Sequence, residues 1–137
     1  NQKGLIVESS KKAARHRLYA LDGHFTLLSN ERKVQPIPIE VFVSLKPDCM
    51  ILLSDSCEQI QMRLMLRDGT KWSKALINSF LREEERQAAR VAESLKIPLL
   101  RVPTTNTLSW TRIKAFVGDA IQRKFNVSIN IKSREFS

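Results

Sequence analysis

The residues with the clearest chemistry follow an apolar run near the start of the chain. Asp22, Gly23 and His24 come directly after the apolar residues 18–21. A carboxylate at the end of a buried strand is suited to hold Mg²⁺ or one of its water ligands beside phosphates. The pair Asp22-Gly23 is also typical of a simple turn, and a histidine beside a turn often serves only as a hydrogen-bonding neighbour. The apolar run favours the Mg²⁺ role for Asp22, whereas the structural interpretation is favoured for His24.

Two pairs of arginines recur at helical spacing. Arg63 and Arg67 are four residues apart on the helix predicted after a central apolar strand, so their side chains share one face. Like charges at that spacing repel by about 0.2–0.5 kcal/mol unless an anion lies between them. Arg82 and Arg86 have the same spacing, but glutamates three residues away can neutralise them. A solvated surface is favoured for this second pair, and a lid that stabilises a transferring phosphoryl group is the alternative.

A polar loop follows the third apolar segment. Thr104 and Thr105 come directly after residues 99–102, where an open α/β sheet usually places its ligand. Capping of the next helix by Thr107 would explain part of this loop without any ligand. Both interpretations of the loop stay open at the level of the sequence.

Several catalytic motifs are absent from the chain. Glycine occurs only at positions 4, 23, 69 and 118, which excludes a Gly-x-x-x-x-Gly-Lys-Ser/Thr phosphate loop within it. Gly-x-Ser-x-Gly, His-Glu-x-x-His and paired Cys-x-x-Cys motifs are absent too. Cys49 and Cys57 are predicted to be unmodified thiols, with Cys49 buried in a strand. The residues present do not complete the set of groups that phosphoryl transfer requires.

The composition is that of a folded protein with anionic partners. In 137 residues, 42% are hydrophobic and 27% are charged, an ordinary globular balance for one domain. The 23 basic and 14 acidic residues give a net charge of +9, which favours nucleotides, nucleic acid or an acidic protein as partners. No apolar run approaches the roughly 18 residues that cross a bilayer, and no secretory leader pattern is present. These patterns predict a cytoplasmic protein without a membrane segment.

Apolar strands alternate with helices along the chain, which predicts an α/β fold with a mostly parallel sheet flanked by helices. We expect one domain over residues 1–125, followed by a tail or edge strand at 126–137. The chain starts with Asn1 inside a predicted helix, so we expect that an amino-terminal part of the native protein precedes it. The predicted strands are 18–21, 49–53 and 99–102, a hairpin spans 25–37, and the predicted helices are 2–17, 39–45, 55–68, 72–96 and one from 108.

Five ordered segments between residues 18 and 103 resemble adenylate-kinase-like P-loop ATPases, small AAA-labelled ATP-binding proteins related to nucleoside monophosphate kinases. The resemblance implies a P-loop NTPase-like fold that binds ATP and Mg²⁺, with Asp22 supporting the metal and Gly23 and His24 beside it. The segments are LeuAspGlyHisPhe at 21–25, ProIleGluValPhe at 38–42, LeuLysProAspCysMetIleLeuLeuSerAsp at 45–55, ArgLeuMetLeuArgAspGly at 63–69, and PheLeuArgGluGluGluArgGlnAlaAlaArgValAlaGluSerLeuLysIlePro at 80–98.

The resemblance also implies roles for the remaining candidates. Arg63 and Arg67 match the helix whose arginines clamp the phosphates, and Arg82 and Arg86 match the lid region more loosely. The loop after the last strand borders the adenine ring in this family, which implies Thr104 and Thr105. The glycine loop of the family lies on its first strand, upstream of the matched residues, and the Pro-Arg that holds an acceptor nucleotide is replaced here by His24-Phe25.

Two functions are therefore expected. The first is an ATP- and Mg²⁺-binding NTPase that, when complete, hydrolyses ATP or transfers its terminal phosphate, whereas the chain shown is expected to be inactive alone. The alternative is a non-catalytic basic module that docks nucleic acid or an acidic protein. Membership of a larger assembly is compatible with both.

Overall fold

The structure is a computed structural model that describes residues 18–125. This part of the chain is mixed α/β, as predicted, with two separate two-stranded sheets in place of one mostly parallel sheet. The helix predicted at 2–17 and the tail at 126–137 lie outside the described residues. The elements in chain order are β1 (Thr26–Leu28), β2 (Val34–Pro36), α1 (Ile39–Leu45), β3 (Met50–Ser54), α2 (Cys57–Asp68), α3 (Lys74–Leu95), β4 (Leu99–Pro103) and α4 (Leu108–Phe125).

Residues 18–21 do not form the strand predicted for them. Leu18, Tyr19 and Leu21 are 61%, 57% and 56% exposed, and they precede the first strand. An apolar run forms a stable strand only where a neighbouring strand takes its backbone hydrogen bonds. Within residues 18–125, no strand pairs with this run. The predicted strand is therefore wrong, and Asp22 follows an exposed segment rather than a buried one.

The parallel pair β3–β4 positions the polar loops. The two strands pair in register, with Cα partners running from Met50–Leu99 to Ser54–Pro103. The pairing extends one step further, because the N–H of Thr104 donates to the carbonyl of Ser54 at 2.9 Å. Parallel strands in register end at the same edge of a sheet. Asp55 and Thr104, the residues that follow the two strands, are consequently neighbours.

The ends of α2 are set by Ser56 and Gly69. The sequence predicts closure of the helix at Gly69, which is confirmed: Gly69 has a left-handed φ of 67° and its N–H donates to the carbonyl of Met65. The sequence also predicts Asp55 as the N-cap, and this is wrong. The hydroxyl of Ser56 accepts the hydrogen bond from the N–H of Gln59 at 3.1 Å, so the Asp55 carboxylate is available for other contacts.

Helix α3 supports both sheets. It contacts all four strands and also α1 and α2. Its apolar residues recur at helical spacing and form the buried face, which includes Ile77, Ala88, Val91 and Ala92. Val91 and Ala92 belong to the main core cluster, which they form with Ile37, Phe42 and Met50.

The hairpin β1–β2 is short and depends on α3. Its antiparallel register runs from Thr26–Pro36 to Leu28–Val34, and strands of this length have little stability alone. The buried Gln87 side chain on α3 donates from Nε2 to the carbonyl of Ile37 at 2.6 Å. Arg32, in the turn at φ 59°, lies 5.2 Å from the ring centroid of Trp72, just before α3.

Thr26 supplies a stability test of the hairpin–helix interface. The residue is fully buried, and its hydroxyl has no hydrogen-bond partner among the described residues. A buried hydroxyl without a partner costs about 1–3 kcal/mol. We expect Thr26→Val to raise the free energy of unfolding in urea by about 1 kcal/mol, because valine has the same shape without the polar group. The matched control is Thr70→Val, at an exposed loop position, which should change stability little. A loss of stability in Thr26→Val would contradict the conclusion that the Thr26 hydroxyl is buried without a hydrogen-bond partner.

Candidate functional site

Asp55 is the centre of a polar cluster at the carboxyl edge of β3 and β4. Its Oδ2 accepts a hydrogen bond from the hydroxyl of Thr104 at 2.8 Å and lies 2.9 Å from Nη2 of Arg63. Its Oδ1 accepts the N–H of Ser56 at 2.8 Å. The Asp55 side chain is 7% exposed. Both of its oxygens are therefore used within the protein, and the carboxylate fixes the positions of the arginine and the threonine.

The same contacts keep Asp55 ionised. The hydroxyl of Thr104 donates to the carboxylate and is the main reason that the pKa of Asp55 lies below its ordinary value. Burial opposes this shift, while the N–H of Ser56 and the charge of Arg63 reinforce it. A stable negative charge at this point is what holds one end of the Arg63 guanidinium.

The Arg63 side chain is largely exposed. Its exposed fraction is 57% although one nitrogen is paired with Asp55. A guanidinium carries five N–H donors in a planar fork, so several donors stay available for a ligand. The site is thus an oriented cation at the carboxyl edge of a parallel pair, where open α/β sheets bind their ligands.

The other predicted arginines are held by neighbouring acids. Arg67 binds Asp68 through two hydrogen bonds, 2.6 Å from Nε to Oδ1 and 2.7 Å from Nη2 to Oδ2. Those bonds raise the pKa of the Arg67 guanidinium. Arg86 pairs with Glu83 at 2.6 Å, which agrees with the solvated surface favoured from the sequence, and Arg82 is exposed. Although Arg63 and Arg67 are one turn apart, each binds a different carboxylate.

The segment Asp22–Phe25 is held against α3 by Glu84. Oε1 of Glu84 lies 2.6 Å from Nδ1 of His24, and Oε2 accepts the N–H of Phe25 at 2.6 Å. The Glu84 side chain is 9% exposed and that of His24 is 63% exposed. The hydrogen bond to Glu84 is the main cause of a raised pKa of His24; burial opposes it, and the charges of Glu84 and Asp22 add to it.

Glu84 is a residue that sequence reasoning missed. It stands in a run of charged residues, which predicts a solvated face. The missed signal is its spacing, because Glu84 lies seven residues after Ile77 and seven before Val91, on the buried face of the helix. A carboxylate at a core position indicates a specific partner, since burying an unpaired charge is costly.

The loop after β4 is shaped by its own polar residues. Thr104 donates to Asp55, whereas Thr105 is exposed. The sequence predicts Thr107 as a cap of the last helix, but the side chain of Asn106 accepts the N–H of Leu108 at 2.9 Å instead. One predicted ligand residue of this loop thus joins the polar cluster, and the other is open to solvent.

The described residues hold no multidentate metal site. Among residues 18–125, no group of three or more His, Cys, Asp or Glu side chains could hold a metal ion. Asp22 is an exposed carboxylate beside the exposed Gly23. The thiols of Cys49 and Cys57 are half-buried, and burial raises the pKa of Cys49. In the same part of the chain, no helix is both long enough and apolar enough to cross a membrane.

Replacing Asp55 tests whether its contacts stabilise the fold. A carboxylate whose pKa is lowered by folding stabilises the protein above its unfolded pKa of about 3.9, and this contribution is lost as pH falls through the lower folded pKa. We therefore expect Asp55→Asn to lower the free energy of unfolding near neutral pH, and the difference from wild type to shrink below about pH 4. Urea unfolding of both proteins across this pH range measures the difference in their free energies of unfolding.

The control for that experiment is Asp119→Asn, which removes an exposed carboxylate on α4. Its stability curve should run parallel to that of wild type. A difference between Asp55→Asn and wild type that stays constant down to the lowest pH would contradict the role given to the ionised Asp55.

No protein-family model, curated protein or solved structure matches this chain. The resemblance to adenylate-kinase-like P-loop ATPases stays a prediction, and function is inferred from the chemistry of the site.

Proposed function

We propose that this chain binds ATP with Mg²⁺ at the carboxyl edge of β3 and β4, as part of a P-loop NTPase of the adenylate-kinase-like type. The observation that supports the proposal is the contact of Asp55 with both Arg63 and Thr104. It pairs the exposed Arg63 side chain with the carboxylate that follows β3, next to the end of β4. In the complete protein, the site would serve hydrolysis of ATP or transfer of its terminal phosphate.

The chemistry of Arg63 suits a phosphate ligand. A planar guanidinium binds phosphate oxygens through paired, charge-assisted hydrogen bonds. Because Asp55 holds one nitrogen, the fork is already oriented before a ligand arrives, and less conformational entropy is lost on binding. The net charge of +9 further favours an anionic ligand.

Helix α3 contacts both the Asp22–His24 segment and β4. Glu84 contacts His24, and the next residue, Glu85, pairs with Arg101 on β4. The proposal therefore requires a ligand that reaches from Arg63, at the edge of β3 and β4, to Asp22.

Asp22 fits the Mg²⁺ of this proposal better than Asp55 does. Protein-bound Mg²⁺ usually keeps several waters and takes one or two carboxylates together with substrate phosphates. The oxygens of Asp55 are occupied by Thr104, Arg63 and Ser56, whereas Asp22 is exposed. Mg²⁺, when bound, neutralises phosphate charge, and Asp22 would hold it or one of its waters.

The remaining residues have secondary roles in the proposal. Arg67 can reach a phosphate only by leaving Asp68, and Arg86 only by leaving Glu83. Arg82 is exposed. In the proposal, Thr105, beside Thr104, would border the nucleoside. The glycine-lysine loop that grips the terminal phosphates is not among the residues of this sequence.

Arg63→Ala tests the phosphate contact. We expect about a tenfold or greater loss of ATP affinity in the presence of Mg²⁺, since a hydrogen bond to a charged group contributes about 1.5–3 kcal/mol. Isothermal titration calorimetry on the full chain measures the affinity. Arg90→Ala is the matched control, because it removes an exposed arginine from the surface of α3. Equal losses in both variants would indicate a general charge effect and contradict a specific site.

The same titration distinguishes the proposed ATP binding from the alternative function. A basic module for nucleic acid predicts binding of single-stranded DNA that weakens steeply with salt and is indifferent to Mg²⁺ and ATP. Failure of the wild-type chain to bind ATP with Mg²⁺ would overturn the proposal. Displacement of ATP by tripolyphosphate would support recognition through the phosphates.

Asp22→Asn tests the metal role. For wild type, we expect ATP affinity to fall when Mg²⁺ is removed with EDTA. In Asp22→Asn this difference should be largely lost, because the carboxylate that favours the metal complex is gone. Asp119→Asn should retain the wild-type response. An undiminished Mg²⁺ effect in Asp22→Asn would place the metal elsewhere.

A further inference from the structure

We propose that a groove between α2 and the loop 69–73 is a docking site for an acidic amphipathic helix of a partner protein. The groove, called the α2 groove below, has a volume of about 320 Å³ and is lined by Glu58, Gln61, Met62, Met65 and Lys71. It shares no lining residue with the proposed nucleotide site. The inference therefore goes beyond nucleotide binding and does not depend on it.

Two contacts hold the walls of the α2 groove together. Nε2 of Gln61 donates to the carbonyl of Trp72 at 2.6 Å, which ties the loop to the helix. Nζ of Lys74, the first residue of α3, lies 3.0 Å from Oε1 of Glu58. The groove is thus formed before a partner arrives, and less conformational entropy is lost on binding.

An apolar stripe of α2 lies along the groove and at its rim. No residue of α2 is buried, and Met62, Met65 and Leu66 are 53%, 47% and 82% exposed. Their spacings of three and four residues place them on neighbouring positions of the helix surface. Clustered apolar side chains that are open to solvent mark interaction sites. Methionine suits such a surface, because its flexible side chain adapts to the shape of a partner.

The shape of the site favours a helix over an extended peptide. A strand binds to the unpaired backbone groups of a sheet edge, whereas the backbone of α2 is hydrogen-bonded within the helix. The partner must therefore be recognised by side chains. Positions 58 to 65 span about 10 Å along the axis of α2. An amphipathic helix carries apolar side chains at intervals of three and four residues and can lay them along a stripe of this length.

Charge selects an acidic partner. Lys71 is exposed and has no ion-pair partner among residues 18–125, whereas Glu58, also on the groove, is paired with Lys74. An uncompensated positive charge therefore lies beside the apolar stripe. A second copy of the chain would bring a further net charge of +9, which disfavours self-association. Residues 1–17 and 126–137 also contain more Lys and Arg than Asp and Glu, so the same argument disfavours them as occupants.

The test uses designed peptides and the full chain. The probe is a fluorescein-labelled peptide of about 18 residues with leucine at intervals of three and four and mainly glutamate elsewhere. One control peptide has lysine in place of glutamate, and another has the acidic composition in an order without a common apolar face. Fluorescence anisotropy should show micromolar binding of the probe that weakens as salt is added, and much weaker binding of both control peptides.

Substitutions locate the binding surface. We expect Met65→Glu and Leu66→Glu to weaken binding of the probe about tenfold or more, because each places a carboxylate against an acidic partner. Lys71→Glu should weaken it about threefold to tenfold and improve binding of the lysine peptide. The matched controls are Leu108→Glu, at a leucine of α4 that is 65% exposed, and Arg90→Glu, on the surface of α3. Both controls should bind the probe as wild type does.

Methionine methyl signals in NMR report the contact directly. With ¹³C-methyl methionine, the signals of Met62 and Met65 should shift when the probe is added, whereas that of Met50, which is 7% exposed in the core, should stay in place. Circular dichroism of each variant shows whether it is folded. Leu66→Glu changes the most exposed of these side chains and keeps the test decisive if Met65→Glu unfolds.

Each outcome supports or overturns the inference. Absence of probe binding, equal binding of either control peptide, or equal weakening by Leu108→Glu would overturn it. A dimer in sedimentation equilibrium that Leu66→Glu dissociates would identify a second copy as the occupant, and displacement of the probe by a peptide of residues 1–17 or 126–137 would identify the chain's own ends; both results reject a separate acidic partner. Loss of ATP binding would overturn only the proposed function, because the peptide titration contains no nucleotide.

Discussion

The in-register pairing of β3 and β4 is the constraint on which the candidate site depends. It brings the ends of both strands to one edge, so that Asp55 and Thr104 meet although they are 49 residues apart in the chain. A shift of one residue in a parallel pair would turn every side chain of one strand to the opposite face. The contact between Asp55 and Thr104 would then be lost, and with it the orientation of Arg63.

Carboxylates hold three of the candidate basic side chains. Asp55 binds Arg63, Asp68 binds Arg67, and Glu84 binds His24. The three pairs differ in how far the acid is buried. The side chains of Asp55 and Glu84 are largely enclosed, whereas that of Asp68 is partly open.

Local sequence patterns predicted most elements of the described fold. The hairpin, β3, β4 and the four helices all lie close to their predicted positions, because the periodicity of apolar residues and the turn residues Gly69 and Pro98 act locally. Residues 18–21 show what local sequence patterns cannot predict. Their apolar character is genuine, but a strand also needs a hydrogen-bonding neighbour, and periodicity contains no information about that neighbour.

The candidate site was predictable only in part for the same reason. Arg63 and Thr104 follow from their positions after β3 and β4. The role of Asp55 was hidden because an acid before a helix predicts a cap, and Ser56 fills that place. Glu84 was hidden by its charged neighbours, although its spacing from Ile77 and Val91 puts it on the buried face. The contacts of Asp55 with Thr104 and of Glu84 with His24 depend on tertiary packing between segments that are distant in the chain.

The attachment of the hairpin to α3 has a consequence for cooperativity. Strands of three residues cannot remain folded by themselves, and here their interface with the helix includes two buried polar anchors, Glu84 and Gln87. Separating the hairpin from α3 would break both hydrogen bonds and the apolar contacts of the interface at once. The hairpin and the middle of the helix should therefore open together, as a single unit in native-state hydrogen exchange.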